Sequence, residues 1–149
     1  MSRSAIAIWA LAGVLACNGA RAQVHISESG SYTLRANVLS SEALPAGTAA
    51  KHGIERAPDR GVLNLVILRG KGVTTTVNAK VVVGKRNLLG QSESIAMREV
   101  NENGYVSYLG TFGFSPLHTF NFSISAQPEG SDEAITLEFE DRLAVRGER

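Results

Sequence analysis

The sequence predicts an all-β fold, an immunoglobulin-like antiparallel β-sandwich of about seven strands with one short helix between the first two strands. Apolar residues recur at every second position over most of the chain, which is the pattern of strands with one buried face. Turn-forming residues separate these segments at short intervals, and no helical segments alternate with them. The length of 149 residues fits one domain.

Seven segments carry the strand pattern. Most alternate apolar and polar residues, and the alternation is cleanest from Phe120 to Ala126. Asn103-Gly104 is the strongest hairpin signal, and Gly84–Asn87 and Pro128–Ser131 are predicted as two further junctions. Short turns of this kind imply antiparallel pairing of consecutive strands. In order along the chain, the segments are 32–38, 62–68, 77–83, 95–97, 106–114, 120–126 and 135–139.

The segment Val62–Leu68 differs from the others because it is apolar on both faces apart from Asn64. A run of this kind is typical of a central strand that is covered on both sides. The short helix is predicted upstream of it, over Ala46–His52, because Pro45 precedes this stretch and Gly53 follows it.

The first 22 residues have the pattern of a secretory signal peptide. Arg3 precedes an apolar stretch over 5–16, and a small-residue A-x-A site ends at Ala22, where we expect cleavage. The apolar stretch is shorter than the ~20 residues that a transmembrane helix needs. An alternative is a lipoprotein anchored through Cys17, because the residues before it resemble a bacterial lipoprotein processing site.

Residues 23–149 are therefore expected to form a single β-sandwich domain in the bacterial periplasm, with no transmembrane segment. This part of the chain contains no Cys or Trp, so the disulfide and tryptophan of true immunoglobulin domains are absent and the likeness is architectural. The net charge of +1 gives no long-range field that attracts nucleic acid or an anionic membrane.

No local motif indicates catalysis, a cofactor or a metal. The sequence lacks a G-x-S-x-G nucleophile elbow and a phosphate-binding loop. His25, His52 and His118 are scattered along the chain, whereas metal sites draw on clustered ligands. A Ser/His/Asp site assembled from distant residues stays open as an alternative, because such triads have no fixed sequence order.

Two groups of polar residues are candidates for interaction or for fixing loops. Arg56, Asp59 and Arg60 lie in the connection that leads from the helix to the strand carrying Asn64. A buried amide needs hydrogen-bond partners, so we expect this connection or nearby backbone to satisfy Asn64. The same region is also a candidate for binding an anionic ligand or a peptide.

The second group is Asn87 and Gln91, which flank the apolar pair Leu88-Leu89 in a predicted turn. Asn and Gln amides commonly bond to the backbone of their own turn. Loop fixing is therefore the preferred interpretation of this group.

Several segments together resemble a known family, namely residues 53–56, 60–64, 87–91, 98–100 and 105–112. Taken in order, they resemble the bacterial domain of unknown function 4426 family, and the similarity runs from about Tyr32 to Phe139. The resemblance implies a short exported protein of Gram-negative bacteria with one domain, and it supplies no reaction.

These observations predict a non-catalytic binding or interaction module of the bacterial envelope, with no cofactor. Its partner is expected to be an envelope protein or peptide, and the domain is expected to be a monomer. The alternatives are a hydrolase with a dispersed site and a structural subunit of an envelope complex.

Overall fold

The computed structural model describes residues 23–70, 75–115 and 118–143. They form two antiparallel sheets packed face to face, with one short α-helix. The predicted all-β sandwich is therefore confirmed, and the described residues form ten strands instead of about seven. The predicted signal peptide, Ala22 and Cys17 lie outside the described residues.

The helical elements are a 3₁₀ turn (Ser41–Ala43) and α1 (Ala46–Lys51). The strands, in chain order, are β1 (Val24–Ser29), β2 (Tyr32–Ser40), β3 (Arg60–Arg69), β4 (Thr75–Thr76), β5 (Ala79–Asn87), β6 (Ser92–Ile95), β7 (Met97–Glu102), β8 (Tyr105–Gly113), β9 (Thr119–Pro128) and β10 (Ile135–Arg142).

The larger sheet, which we call sheet A, has the strand order β1-β2-β3-β8-β7, and the short β4 pairs with the end of β3. The smaller one, sheet B, has the order β10-β9-β5-β6. All strand pairs are antiparallel. The hairpin between β7 and β8 turns at Asn103 and Gly104, whose φ angles of 54° and 86° explain why the sequence has Asn-Gly there.

The main core lies between the sheets. The strand β3 is covered on both faces, as its apolar run predicts: Leu63 points into this core, and Val62 points to the opposite side of sheet A. There it joins a second apolar cluster beneath α1. The members of this second cluster are Leu39, Leu44, Ala49, Ile54, Val62 and Leu109.

The structure corrects three details of the sequence prediction. The strand β1 was not predicted because Val24 and Ile26 are on its exposed face, whereas the inward positions hold polar His25 and Ser27. The helix therefore lies between the second and third strands and not between the first two. The predicted junction at Gly84–Asn87 is also wrong, because these residues continue β5 and pair with β9.

No helix within the described ranges is long and apolar enough to cross a bilayer.

Candidate functional site

Asn64 is buried in the middle of sheet A. It lies opposite Asn37 on β2, and each residue is only 8% exposed. The Nδ2 group of Asn64 donates a hydrogen bond of 3.2 Å to Oδ1 of Asn37. Both side chains are on the same face of the sheet as Val62 and Leu109, at the border of the apolar cluster beneath α1.

The partner of Asn64 differs from the one predicted. We expected the Arg56–Arg60 connection or nearby backbone, and the structure gives a side chain on the neighbouring strand. The Oδ1 atom of Asn64 is buried and accepts no hydrogen bond from any residue that the structure describes. A buried unsatisfied oxygen is unfavourable, so this pair is incompletely satisfied.

The Arg56–Arg60 connection is held by its own hydrogen bonds. The hydroxyl of Ser41, which is fully buried, donates to the Ala57 carbonyl at 3.0 Å and accepts from the Ala57 N–H at 2.9 Å. Arg56 donates to the Glu42 carbonyl at 2.9 Å. These bonds tie the connection to the 3₁₀ turn that follows β2.

The remaining members of this group also hold local structure. Arg60 pairs with Glu55 at 2.8 Å on the surface, and the Asp59 carbonyl accepts the N–H of Phe114 at 2.8 Å. Arg56, Asp59 and Arg60 therefore surround the entry to β3, and none of the bonds described for them reaches Asn64.

The turn between β5 and β6, which we call the leucine turn (Asn87–Gln91), is closed by its two amide side chains. Oδ1 of Asn87 accepts the N–H groups of Leu89 at 3.0 Å and Gln91 at 2.9 Å. Nδ2 of Asn87 donates to Oε1 of Gln91 at 2.7 Å. Backbone bonds from Gly90 to Asn87 and from Asn87 to Gln91, both 3.0 Å, complete the closure.

This closed turn presents two large apolar side chains to solvent. Leu88 is 72% exposed and Leu89 is 86% exposed, although together they form the tip of a well-bonded hairpin. The sequence identified Asn87 and Gln91 and the apolar pair between them. The exposure of the two leucine side chains depends on where the turn lies relative to sheet B. The local sequence does not specify that position.

Lys85 anchors the base of the same hairpin and was not identified from the sequence. Its side chain is 7% exposed, and its ammonium lies 2.9 Å from Oε1 of Glu93 on β6. It also donates to the Gly113 carbonyl and lies 4.6 Å from the ring centre of Phe120. The sequence assigned Lys85 to a turn, whereas the structure places it at an inward position of β5.

The histidines occupy separate environments. His25 on β1 stacks on Phe139 of β10 with ring centres 3.8 Å apart, and its Nε2 lies 3.7 Å from Asp141. This contact joins the edge strands of the two sheets. In the described part of the chain, no group of three or more His, Cys, Asp or Glu side chains is arranged to hold a metal ion.

His52 lies just after α1, with its side chain 5% exposed and its Nε2 3.9 Å from Oε1 of Glu102. The same carboxylate pairs with Lys51 at 2.6 Å, and Arg98 donates to the His52 carbonyl. Burial lowers the pKa of His52 below its ordinary value of 6.5, against the opposing effect of Glu102 and with smaller contributions from Lys51 and Arg98.

Comparison with solved structures shows a similar fold in other bacterial proteins. A DUF4426 family protein from Pseudomonas aeruginosa PAO1 is 27% identical, with a TM-score of 0.69 over 82% of this chain and 95% of that one. FetP of uropathogenic Escherichia coli strain F11, expressed recombinantly in the periplasm, is 10% identical, with a TM-score of 0.58 over 85% of this chain and 99% of that one.

A copper-bound variant of FetP is also similar, with 10% identity and a TM-score of 0.55 over 78% of this chain and 92% of that one. At this identity the two FetP structures show the fold alone. No curated protein matches the chain.

The family model for the domain of unknown function DUF4426 matches residues 26–145. This range covers β2 to β10, all of β1 except its first two residues, and both groups of polar residues that the sequence singled out. The chain belongs to the DUF4426 family.

Proposed function

We propose that this chain is an exported, non-catalytic binding module of the bacterial envelope, and that it contacts its partner through the leucine turn. The observation that carries the proposal is the exposure of Leu88 and Leu89 on a turn that is closed by five hydrogen bonds. Covering two leucine side chains releases water from apolar surface, which is the usual driving force of association.

The rigidity of the turn supports a binding role. A contact surface that is already ordered loses little conformational entropy when it binds. Asn87 and Gln91 provide this order, and the Lys85–Glu93 pair fixes the two strands below them. Flexible leucines would instead collapse onto the nearest apolar surface.

The placement in the periplasm is supported by the signal pattern at residues 1–22 and by the structural similarity to FetP, which was obtained from the periplasm. The Arg56–Arg60 connection is a weaker candidate for the contact because its charged groups already bind one another and local backbone.

Site-specific photo-cross-linking in living cells tests the proposal. A photoreactive amino acid replaces Leu89 in one strain and Val82 in another, because Val82 is also apolar and 69% exposed but lies on the face of sheet B. It precedes Asn87 by five residues of extended strand, about 17 Å.

We expect cross-linked products at position 89 that are absent at position 82. The products counted are protein conjugates and lipid adducts, and the proposal fails if both positions give the same products or if position 89 gives neither kind.

A further inference from the structure

We infer that the envelope component contacted by the leucine turn is a phospholipid surface, into which Leu88 and Leu89 insert at the level of the headgroups. The inference rests on the proposed function, because it identifies the partner of the same turn. Its basis is that the turn combines exposed leucines, four backbone N–H groups bonded within the turn and adjacent arginines.

The surroundings of the turn do not suit a large protein interface. Stable protein partners bury about 800 Å² each, and much of the centre of such a contact is apolar. Here the residues next to the two leucines on the outer face of sheet B are small and polar, such as Ser92, Ser94 and Ser123, and the exposed Val82 lies further back along β5. The tip of the leucine turn is apolar and the adjacent face of sheet B is polar. This arrangement fits a lipid layer into which only the turn inserts.

The hydrogen bonds of the turn favour entry into an apolar layer. Backbone groups that leave water without a partner are energetically costly in a bilayer. In this turn the N–H groups of Leu89, Gly90 and Gln91 all bond to Asn87, and the N–H of Asn87 bonds to the Gln91 carbonyl. The leucines can therefore leave water without uncovering these donors.

The charges near the turn fit a surface that carries phosphate groups. Arg86 directly precedes the turn and is exposed on the outer face of sheet B. Arg142 lies at the same end of this face, since it pairs with Thr119, the residue next to the Phe120 that pairs with Asn87. Neither arginine forms an ion pair within the described ranges.

The acidic residues of this region lie further from the turn than Arg142 or are already paired. Glu140 lies on the same face in the row of Arg86, because both residues pair with Asn121, and Glu93 is bound to Lys85. Residues 23–149 carry 13 Lys and Arg against 14 Asp and Glu, a net charge of −1, so the chain has no long-range attraction to an anionic surface. Contact therefore depends on the leucines, with the two arginines acting at close range.

Two leucines bury fewer carbon atoms than one myristoyl chain, which by itself gives only marginal and reversible membrane binding. The structure therefore implies weak, reversible attachment and not permanent anchoring.

Vesicle flotation tests the inference, with the protein in the form recovered from the envelope of expressing cells. The vesicles contain phosphatidylethanolamine with phosphatidylglycerol. We compare the native chain, the double variant Leu88→Ser/Leu89→Ser and the control Val82→Ser, all with the same N-terminus. Any contribution of residues outside the turn is then common to all three proteins.

We expect the double variant to bind about tenfold less, because it loses the transfer of two large apolar side chains, and the control to stay within about twofold of the native chain. Arg86→Ala should weaken binding to these vesicles and should have little effect on vesicles of phosphatidylcholine.

Equal binding by the double variant and the native chain overturns the lipid inference. If vesicle binding is absent and position 89 still cross-links to a protein in cells, the lipid inference fails and the proposed function stands. If position 89 also gives no cross-link, both fail.

Discussion

Asn64 of β3 donates a hydrogen bond to Asn37 of β2, directly across the strand pair, and this amide pair is buried beside the apolar cluster beneath α1. The oxygen of Asn64 accepts no bond among the described residues. The pair therefore makes one hydrogen bond at the cost of burying a second acceptor. This imbalance determines how substitutions at the two positions should behave.

Replacing Asn64 with Leu should destabilise the domain by about 1 kcal/mol, near the lower end of the range for an orphaned buried polar group. Oδ1 of Asn37 loses its donor, but the unsatisfied oxygen of Asn64 is removed at the same time. Denaturant titration measures the change.

The matched control is the double variant Asn37→Leu/Asn64→Leu, which removes both amides. It should recover part of the loss, since replacing both partners by apolar groups can be nearly neutral. A double variant less stable than the sum of the two single changes would contradict this account of the pair.

Substitutions at Ser41 and Arg60 compare the buried and the exposed hydrogen bonds that hold the Arg56–Arg60 connection. Ser41→Ala should cost about 2 kcal/mol, because the N–H and carbonyl of the half-buried Ala57 both lose their partner, the fully buried Ser41 hydroxyl. Arg60→Ala should change stability by less than about 1 kcal/mol, because its ion pair with Glu55 is largely exposed. Thermal or denaturant unfolding gives both values, and a larger loss for Arg60→Ala would refute the ranking.

His52 should make the domain less stable in mild acid. Burial keeps its pKa in the folded chain below the ordinary value of 6.5. As the pH falls through 6.5, the unfolded chain takes up a proton on this residue before the folded chain does, so stability decreases until the pH passes the lowered pKa. The charged groups that face the ring or its backbone are Glu102, Lys51 and Arg98.

The measurement is the denaturant midpoint across this pH range for the native chain and for His52→Phe. The substitution should remove the part of the slope that begins near pH 6.5. Identical slopes in the two proteins would show that His52 does not titrate differently in the folded and unfolded states.

Processing of the N-terminus should occur after Ala22, because small residues stand at both positions that signal peptidase reads. The intact mass of the protein recovered from the envelope should correspond to a chain that begins at Gln23. A mass corresponding to a diacylated chain beginning at Cys17 would show that the protein is a lipoprotein, and membrane attachment would then have two sources.

The sequence predicted those features that depend on local patterns. The unbroken apolar run of β3 correctly indicated a strand covered on both faces, and Asn103-Gly104 correctly indicated a hairpin. The strand β1 was not predicted because it is an edge strand of the sandwich, and such a strand can expose its apolar residues. Its inward His25 instead packs on Phe139 of the other sheet.

The features that the sequence missed depend on register between distant segments. Asn37 becomes the partner of Asn64 only when β2 and β3 pair in the observed register, across 27 positions of the chain. Lys85 was assigned to a turn because its neighbours are Gly84 and Arg86, whereas pairing with β9 extends the strand past it. The leucine turn was located correctly as a segment between Asn87 and Gln91, and its projection into solvent required the fold.

The most direct test of the leucine turn as the contact surface is co-sedimentation with washed total membranes from the envelope, which contain both lipids and membrane proteins. We predict that Leu88→Ser/Leu89→Ser lowers the bound fraction about tenfold relative to the native chain, since both exposed leucines lose their apolar contact, and that Val82→Ser leaves the bound fraction nearly unchanged. Equal co-sedimentation of the native chain and the double variant would contradict the account.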